Sequence, residues 1–367
     1  MTFDQANRLF QQDEIGQLCD TPDGVRFLKL RSLSRKENLE RLFAAAGLVA
    51  SSSSADALFR EAYGANVSVA AIDALIAEIY REESAERLAN EDALVSELYK
   101  MEVFDWGGLH RNSLEKTIVD NYVKKIKSYE ILEEKIENEL HHSMRGFVLC
   151  QWYNHWTSII IEDIFKRHPV VLPAVGLVKK IDFFVRHVPF DLKVTYFPEG
   201  FIAECRRRAD LRPELTLLKQ VARRVRVHFD DELPPAKLLE DLWKKLRDHP
   251  SREAQMAVGE LHTYRMRLIQ ESKANPTNLI TWLYENQGVR RFDSSNRFFL
   301  VLVDQTNFFE SWKLKRAKPL LETEITRYLD ATPRVPGRQI TFSWEGRSYT
   351  SRSDVLFVLP PAQARCN

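Results

Sequence analysis

Two carboxylates and an ammonium stand close together near the middle of this 367-residue chain: Asp182, Asp191 and Lys193, with eight residues between the two aspartates. Carboxylates brought near each other repel unless positive charge sits between them, and hard divalent cations such as Mg²⁺ take carboxylate oxygens as ligands. A lysine beside such a cation is a compact point charge that orients a water or steadies negative charge growing on a phosphoryl oxygen. The three residue types point to metal-assisted chemistry at phosphorus, provided the fold brings them together.

The stretch Lys180 to Tyr196, KIDFFVRHVPFDLKVTY, is predicted to do so as a β-hairpin. Ile181 to Val185 and Pro189 to Tyr196 are rich in β-branched and aromatic residues, and Arg186 to Val188 has the length of a hairpin connection. Side chains alternate along a strand, so Asp191, Lys193 and Thr195 share one face and Leu192, Val194 and Tyr196 the other. Folding back at Arg186 to Val188 brings Asp182 opposite the Asp191 and Lys193 region.

These residues resemble the signature of the PD-(D/E)XK, or restriction-endonuclease-like, nuclease superfamily: an Asp, a short spacer, then Asp/Glu-X-Lys. Asp182, Asp191 and Lys193 stand at the three positions. Ile181 stands where a proline is usual and the spacer is short, but neither departure removes a ligand. The resemblance implies that Asp182, Asp191 and the Leu192 backbone carbonyl hold Mg²⁺, with Mn²⁺ able to substitute. The metal would polarise the scissile phosphate and lower the pKa of an attacking water, which Lys193 positions or helps to deprotonate. Thr195, on the same face, either touches phosphate or packs. The resemblance further implies a stand-alone type II restriction endonuclease cutting double-stranded DNA as a homodimer, with its cognate methyltransferase on a separate chain. Other readings remain open: a repair, mobile-element or abortive-infection nuclease of the same core acting on RNA or single strands, a non-catalytic nucleic-acid-binding protein, or a helical scaffold that binds other proteins.

Upstream of the hairpin, Gly146 to His168 is predicted as a buried helix with Trp152, Tyr153, Trp156, Ile160 and Ile164 on one side. Gln151, His155, Ser158 and Glu162 fall along a single stripe of it. In the superfamily that the chain resembles, such a helix often contributes an acidic residue to the metal site, which makes Glu162 the fourth catalytic and metal-binding position and Asp163 its substitute. The competing expectation is a surface pairing of Glu162 with Lys166.

Around these, His168-Pro169 ends the helix and Val170 to Leu177 is read as a first strand. Pro198-Glu199-Gly200 is read as a turn. Arg206, Arg207, Arg208, Arg212, Arg223, Arg224 and Arg226 follow, either gripping backbone phosphates or forming a solvated helix face. Pro234 to Gln287 is predicted to be helical with breaks at Pro250 and Pro276. Arg297 to Val303 has the continuous apolar run of a strand buried on both faces. A helix from Glu310 to Leu329 carries the basic cluster Lys313, Lys315, Arg316 and Lys318, and a hairpin turning at Glu345-Gly346 precedes a last strand, Asp354 to Leu359. The tail Pro360 to Asn367 is expected to fray. The expected fold is α/β (α+β): a restriction-endonuclease-like core over about 146–304, its mixed β-sheet flanked by helices, within a nuclease domain of 106–367. Nucleic-acid contacts are expected from Arg206, Arg207, Arg208, Arg223, Arg224, Lys313, Lys315 and Arg316.

Residues 1 to 105 read as a separate helical domain for DNA recognition or dimerisation. Leu33 to Ala46, Ala55 to Tyr63 and Val67 to Arg81 are its clearest helices, with Ser51 to Ser54 either a flexible link or a cap. Arg31, Arg35, Lys36 and Arg41 would serve a helix-turn-helix reader. The boundary is set at Glu102 to Arg111, around Trp106-Gly107-Gly108, and a charged helix is expected from Asn112 to Ser143. A 44% hydrophobic composition supports a sizeable core, and a formal net charge of +1 leaves nucleic-acid binding to local basic surface. Four scattered cysteines argue against a zinc site or a disulfide framework, and no phosphate-binding glycine loop is present. With no signal-peptide pattern and no apolar run of spanning length, a cytoplasmic protein without a membrane partner is expected.

Overall fold

The computed structural model describes residues 1–65, 67–104, 118–176, 178, 180–286 and 293–360. The boundary at Trp106-Gly107-Gly108, the start of the charged helix at Asn112, Leu177, Gln287 and the tail after Pro360 lie outside the described residues.

Seven helices open the chain: α1 (Phe3–Gln11), α2 (Ile15–Cys19), α3 (Pro22–Ser32), α4 (Lys36–Ala45), α5 (Ala55–Gly64), α6 (Val69–Ala89) and α7 (Glu91–Leu98). Ser54 caps α5 by accepting from Ala57 N–H, so the serine run ends in a cap as its position before an apolar periodicity implies. The core of these helices is not self-contained. Leu172, Ala174, Val175, Ile181 and Phe184 from the sheet edge complete it beside Phe27, Leu28 and Ile76. The last helix, α7, instead joins the sheet core through Leu94 and Leu98. Arg41 is taken up by Glu78 and Glu82 and Arg35 by Glu83, so much of the positive charge of this region is paired internally.

After the π-helical turn Val119–Val123 come α8 (Tyr129–Lys135), a second π-helical turn Ile136–Leu140, and the long helix α9 (His141–Lys166). The α9 helix is amphipathic rather than buried all round: Tyr153, Thr157, Ile160, Ile161 and Ile164 face the core, while Gln151 and His155 are exposed. Then follow β1 (Val171–Pro173), β2 (Phe183–Val185) and β3 (Val188–Tyr196). The β2–β3 connection is the two residues Arg186 and His187, with φ of 45° and 74°. Positive φ at both positions is a type I′ turn, whose twist matches that of the flanking strands.

Among the described residues, five helices separate β3 from β4 (Arg297–Leu302): α10 (Glu199–Arg208), α11 (Glu214–Arg224), α12 (Pro235–Arg247), α13 (Arg252–Ala274) and α14 (Thr277–Glu285). Glu199 starts α10, so the expected turn at Pro198 is its cap. Part of this insertion, α11, α12 and the first half of α13, has its own core around Leu218, Leu242 and Leu261.

The last strands are β4 (Arg297–Leu302), β5 (Arg338–Trp344) and β6 (Arg347–Val358), with a 3₁₀ segment Phe308–Arg316 and α15 (Lys318–Asp330) between β4 and β5. The single helix expected over Glu310 to Leu329 is therefore two pieces. The hairpin does turn at Glu345 and Gly346, both with positive φ, but its second arm and the expected last strand are one continuous strand, β6. All six strands form one mixed sheet in the order β1-β2-β3-β4-β6-β5. The β1–β2, β2–β3 and β5–β6 pairs are antiparallel, whereas β3, β4 and β6 run parallel. Every residue of β4 is buried, as its unbroken apolar run requires of a strand covered on both faces. One face packs against α9 and α15, the other against α10, the end of α13 and α14.

Candidate active site

The hairpin does what its alternation dictates. The paired register of β2 and β3 ends at Phe183 and Phe190. Beyond it Asp182 N–H donates to Phe190 O at 2.9 Å, one residue out of that register, which leaves Asp182 at the edge of β3 close to Asp191. On β3, Phe190, Leu192, Val194 and Tyr196 pack into the core under α9. Asp191, Lys193 and Thr195 therefore project from the opposite face.

Asp191 is 5% exposed, and Lys193 Nζ donates to its Oδ1 at 2.7 Å. Lys193 itself is 44% exposed, which leaves the ammonium reachable from solvent. Across the parallel ladder, Asp191 faces Arg297, whose Nε lies 3.8 Å from Asp191 Oδ2 and whose Nη2 donates to Asp293 Oδ2 at 2.6 Å. Sequence reading passed over Arg297. Its signal was a charged residue opening an otherwise apolar run, which a strand buried on both faces accepts only with acidic partners.

Asp182 is held differently. Its Oδ2 accepts Leu192 N–H at 2.7 Å. Asp191 N–H points to Asn296 O on the β4 side, so the peptide groups of Leu192, including the carbonyl, are directed to the other side, where Asp182 lies. Burial pushes the Asp182 carboxyl up to about 7, and the negative charges of Glu162 and then Asp191 push in the same direction, against the Leu192 N–H and Lys166. Glu162 on α9 thus acts on Asp182 electrostatically, while also accepting from Lys166 Nζ at 2.7 Å. The expected pairing of Glu162 with Lys166 is present. Asp163 is turned away: it is buried and accepts from Tyr80 Oη at 2.7 Å and from the Arg87 guanidinium at 2.8 and 2.9 Å, tying α9 to α6.

The basic residues expected at nucleic acid divide sharply. Arg206, Lys315 and Arg316 are buried and engaged with protein, contrary to a role on the surface. Arg206 donates to Arg212 O and lies over the Tyr264 ring, and Arg316 donates to Leu98 O and Met101 O. Lys315 donates to Asn154 Oδ1 at 2.8 Å, and burial pushes its ammonium down to about 8. Arg207, Arg208, Arg223 and Arg224 are exposed and Lys313 is half-buried. Of these, Arg208 pairs with Glu204, Arg223 with Asp231, Arg224 with Glu253 and Lys313 with Glu310. An arginine run on an amphipathic helix contains both kinds of residue, and only the packing separates them.

No protein-family model, curated protein or solved structure matches this chain. Among the described residues, no helix is long and apolar enough to cross a membrane. Nor do three or more His, Cys, Asp or Glu side chains gather into a group that could hold a metal ion as they stand. The donors nonetheless suit a hard divalent cation. Asp182 lies close enough to Asp191 to feel its charge, the Leu192 peptide is directed toward Asp182, and the Asp182 carboxylate is short of positive charge in a way that a cation would relieve.

Proposed function

We propose that this protein is a divalent-metal-dependent endonuclease that hydrolyses phosphodiester bonds of double-stranded DNA, of the restriction-endonuclease-like kind. The observation that carries the reading is the closeness of half-buried Asp182 to Asp191, whose charge helps to raise the Asp182 carboxyl, with Lys193 donating to Asp191. The order of elements supports it: a helix, three antiparallel strands, a helical crossover and a fourth strand parallel to the third, with the acidic pair on the third strand and just before the second.

Asp182, Asp191 and the Leu192 carbonyl would hold Mg²⁺ or Mn²⁺, with Glu162 near enough in charge to assist. When bound, the ion supplies Lewis-acid polarisation of the phosphate and a lowered pKa for its water. Lys193, released from Asp191 and half open to solvent, would place its ammonium against a phosphate oxygen and orient the attacking water. Arg297 would hold Asp191 in its rotamer from the neighbouring strand. A type II restriction enzyme working as a homodimer beside a separate methyltransferase is the finer form of this proposal.

The test is incubation of purified protein with long mixed-sequence DNA, with and without Mg²⁺, beside Asp191→Ala and Lys193→Ala. Discrete fragments that require the ion and vanish in both variants are expected. Smeared products lost in the same variants would keep the nuclease and remove the restriction specificity. Intact DNA under every divalent ion would overturn the reading.

A further inference from the structure

Because β3, β4 and β6 run parallel, their carboxyl ends meet at one edge of the sheet, the place where open α/β sheets leave a crevice. A cavity of about 300 Å³ lies there, at the end of β3 and β4. That is the lower end of the roughly 300–1,000 Å³ typical of small-ligand pockets, the room of one ring system rather than of a large cofactor. Its walls are mostly apolar and aromatic, including Phe197, Ile269, Phe308 and Phe309, and Thr195 and Glu199 bring polar atoms to it.

The electrostatics of the cavity are set by one buried arginine. Arg265 is 1% exposed and sits between Glu199, with contacts of 2.7 Å, and Glu214. One guanidinium against two carboxylates leaves the group net negative. A phosphate or other anion is disfavoured inside, whereas a neutral ring bearing an amino group finds carboxylate lone pairs on Glu199 and π-faces on the phenylalanines.

Position narrows the occupant further. Thr195 is on the same strand face as Asp191 and Lys193, two residues beyond Lys193 and four beyond Asp191, about 7 and 13 Å along an extended strand. Nucleotides repeat along a strand at about 3.4 Å when stacked and more when splayed apart, so a base a few nucleotides from the phosphate at the acidic pair reaches the cavity. From these observations we infer that the cavity is a nucleobase site: it takes an unstacked base of the strand being cut, with a preference for bases that carry an exocyclic amine, while that strand's phosphate lies at the acidic pair. The placing of the phosphate rests on the nuclease reading, but the recognition of the base does not. Such a pocket stacks the base between aromatic side chains and reads its edge, and its filling is easiest for single-stranded or distorted substrate.

Saturation-transfer NMR on the full chain without divalent ions tests it, using deoxyadenosine, deoxycytidine, deoxyguanosine and thymidine as free nucleosides, which carry no phosphate. Transfer to the base protons of the three amine-bearing nucleosides, at least threefold above thymidine, is expected. Glu199→Gln, near-isosteric and on a half-exposed side chain, should erase that preference. Phe309→Leu, which keeps bulk and removes the ring, should weaken transfer for all four. Asp191→Ala should leave binding unchanged. Equal transfer in wild type and both cavity variants, or none at all, overturns the site even if DNA is cleaved. Binding with this pattern in a protein that cuts no DNA keeps the base site and removes the nuclease.

Discussion

Two pairs of acidic side chains flank the same central strand, and the protein treats them in opposite ways. Glu199 and Glu214 each begin a helix, and the Arg265 guanidinium lies between them under the rings of Trp243, Phe308 and Phe309. Asp182 and Asp191 also lie close together, yet among the described residues no cation pairs with Asp182, and Lys193 donates to Asp191. Burial raises both the Glu199 and the Asp182 carboxyls, but at Glu199 the arginine pulls back, whereas at Asp182 the charges of Glu162 and Asp191 add to the push. The first pair is neutralised in part by its own chain. The second is left short of positive charge in a partly open site, an environment in which shifted ionisable groups cluster at functional sites.

The comparison breaks most easily at Arg265. Arg265→Met leaves Glu214, 7% exposed, as an uncompensated buried charge and should cost about 3–5 kcal/mol in urea unfolding. Adding Glu214→Gln should recover part of the loss, since it removes the stranded charge. A loss below about 1 kcal/mol would mean that the arginine is not what fastens the inserted helices to the sheet.

Lys193→Ala should do the reverse. At 44% exposure its ion pair with Asp191 is worth little, so unfolding should move by less than about 0.5 kcal/mol. Cleavage should fall by roughly 10²–10⁴-fold, the range for loss of a group that positions or moves a proton in the transition state. A variant that loses stability and keeps activity would place Lys193 with the structural ions and sink the contrast.

Local chemistry made much of the site legible. A period of two residues placed Asp191, Lys193 and Thr195 together, and β-branched and aromatic residues bounded by a short turn gave the hairpin that brings Asp182 close to Asp191, though one residue out of register. Its turn residues, Arg186 and His187, carry no glycine or asparagine, so the two-residue turn was less visible than the strands beside it. The unbroken apolar run of β4 declared a strand buried on both faces. Long-range facts were not legible. Nothing local says that Arg206, Lys315 and Arg316 turn inward while Arg207 and Arg208 do not, because a helix period names faces without saying which neighbour covers them. Likewise, the core shared by the N-terminal helices and the sheet edge depends on contacts more than a hundred residues apart, which is why 1–105 reads as separate in sequence.

Asp182 offers a sharper test, through pH. Its ordinary value of 3.8 is raised to about 7 in the fold, so the folded protein binds more protons than the unfolded chain between those values. The contribution of Asp182 to stability should be fullest below about pH 4, fall as the pH rises toward 7, and level off above, and it is read as the difference between the parent and a variant at this position. Asp182→Asn, whose carboxamide oxygen can still accept from Leu192 N–H, should flatten that fall and exceed the parent protein at pH 8 by about 1–2 kcal/mol, less than the full shift because the site is partly open. Mg²⁺ at ten times its dissociation constant should return about 1.4 kcal/mol to the parent and little to the variant. A parent protein whose stability rises from pH 4 to 7 in proportion to a group at this position would contradict the crowding of the acidic pair.

The smallest effect decides what Glu162 is for. Its charge is the largest neighbouring contribution to the raised Asp182 carboxyl, after burial, yet its own contact is with Lys166 one turn along α9. Glu162→Gln removes both. Loss of the partly exposed ion pair costs about 0.3–0.5 kcal/mol at any pH above the carboxylate range. Relief of Asp182 acts only above pH 4 and with the opposite sign, so the two nearly cancel at pH 8 and a melting curve alone is uninformative. The carboxyl-carbon titration of Asp182, assigned by NMR against Asp182→Asn, separates them: its midpoint should move down from about 7 toward the ordinary range when Glu162 is neutralised. An unmoved midpoint would return Glu162 to the surface of α9 as a partner of Lys166 alone, and would leave the acidic site with two side chains rather than three.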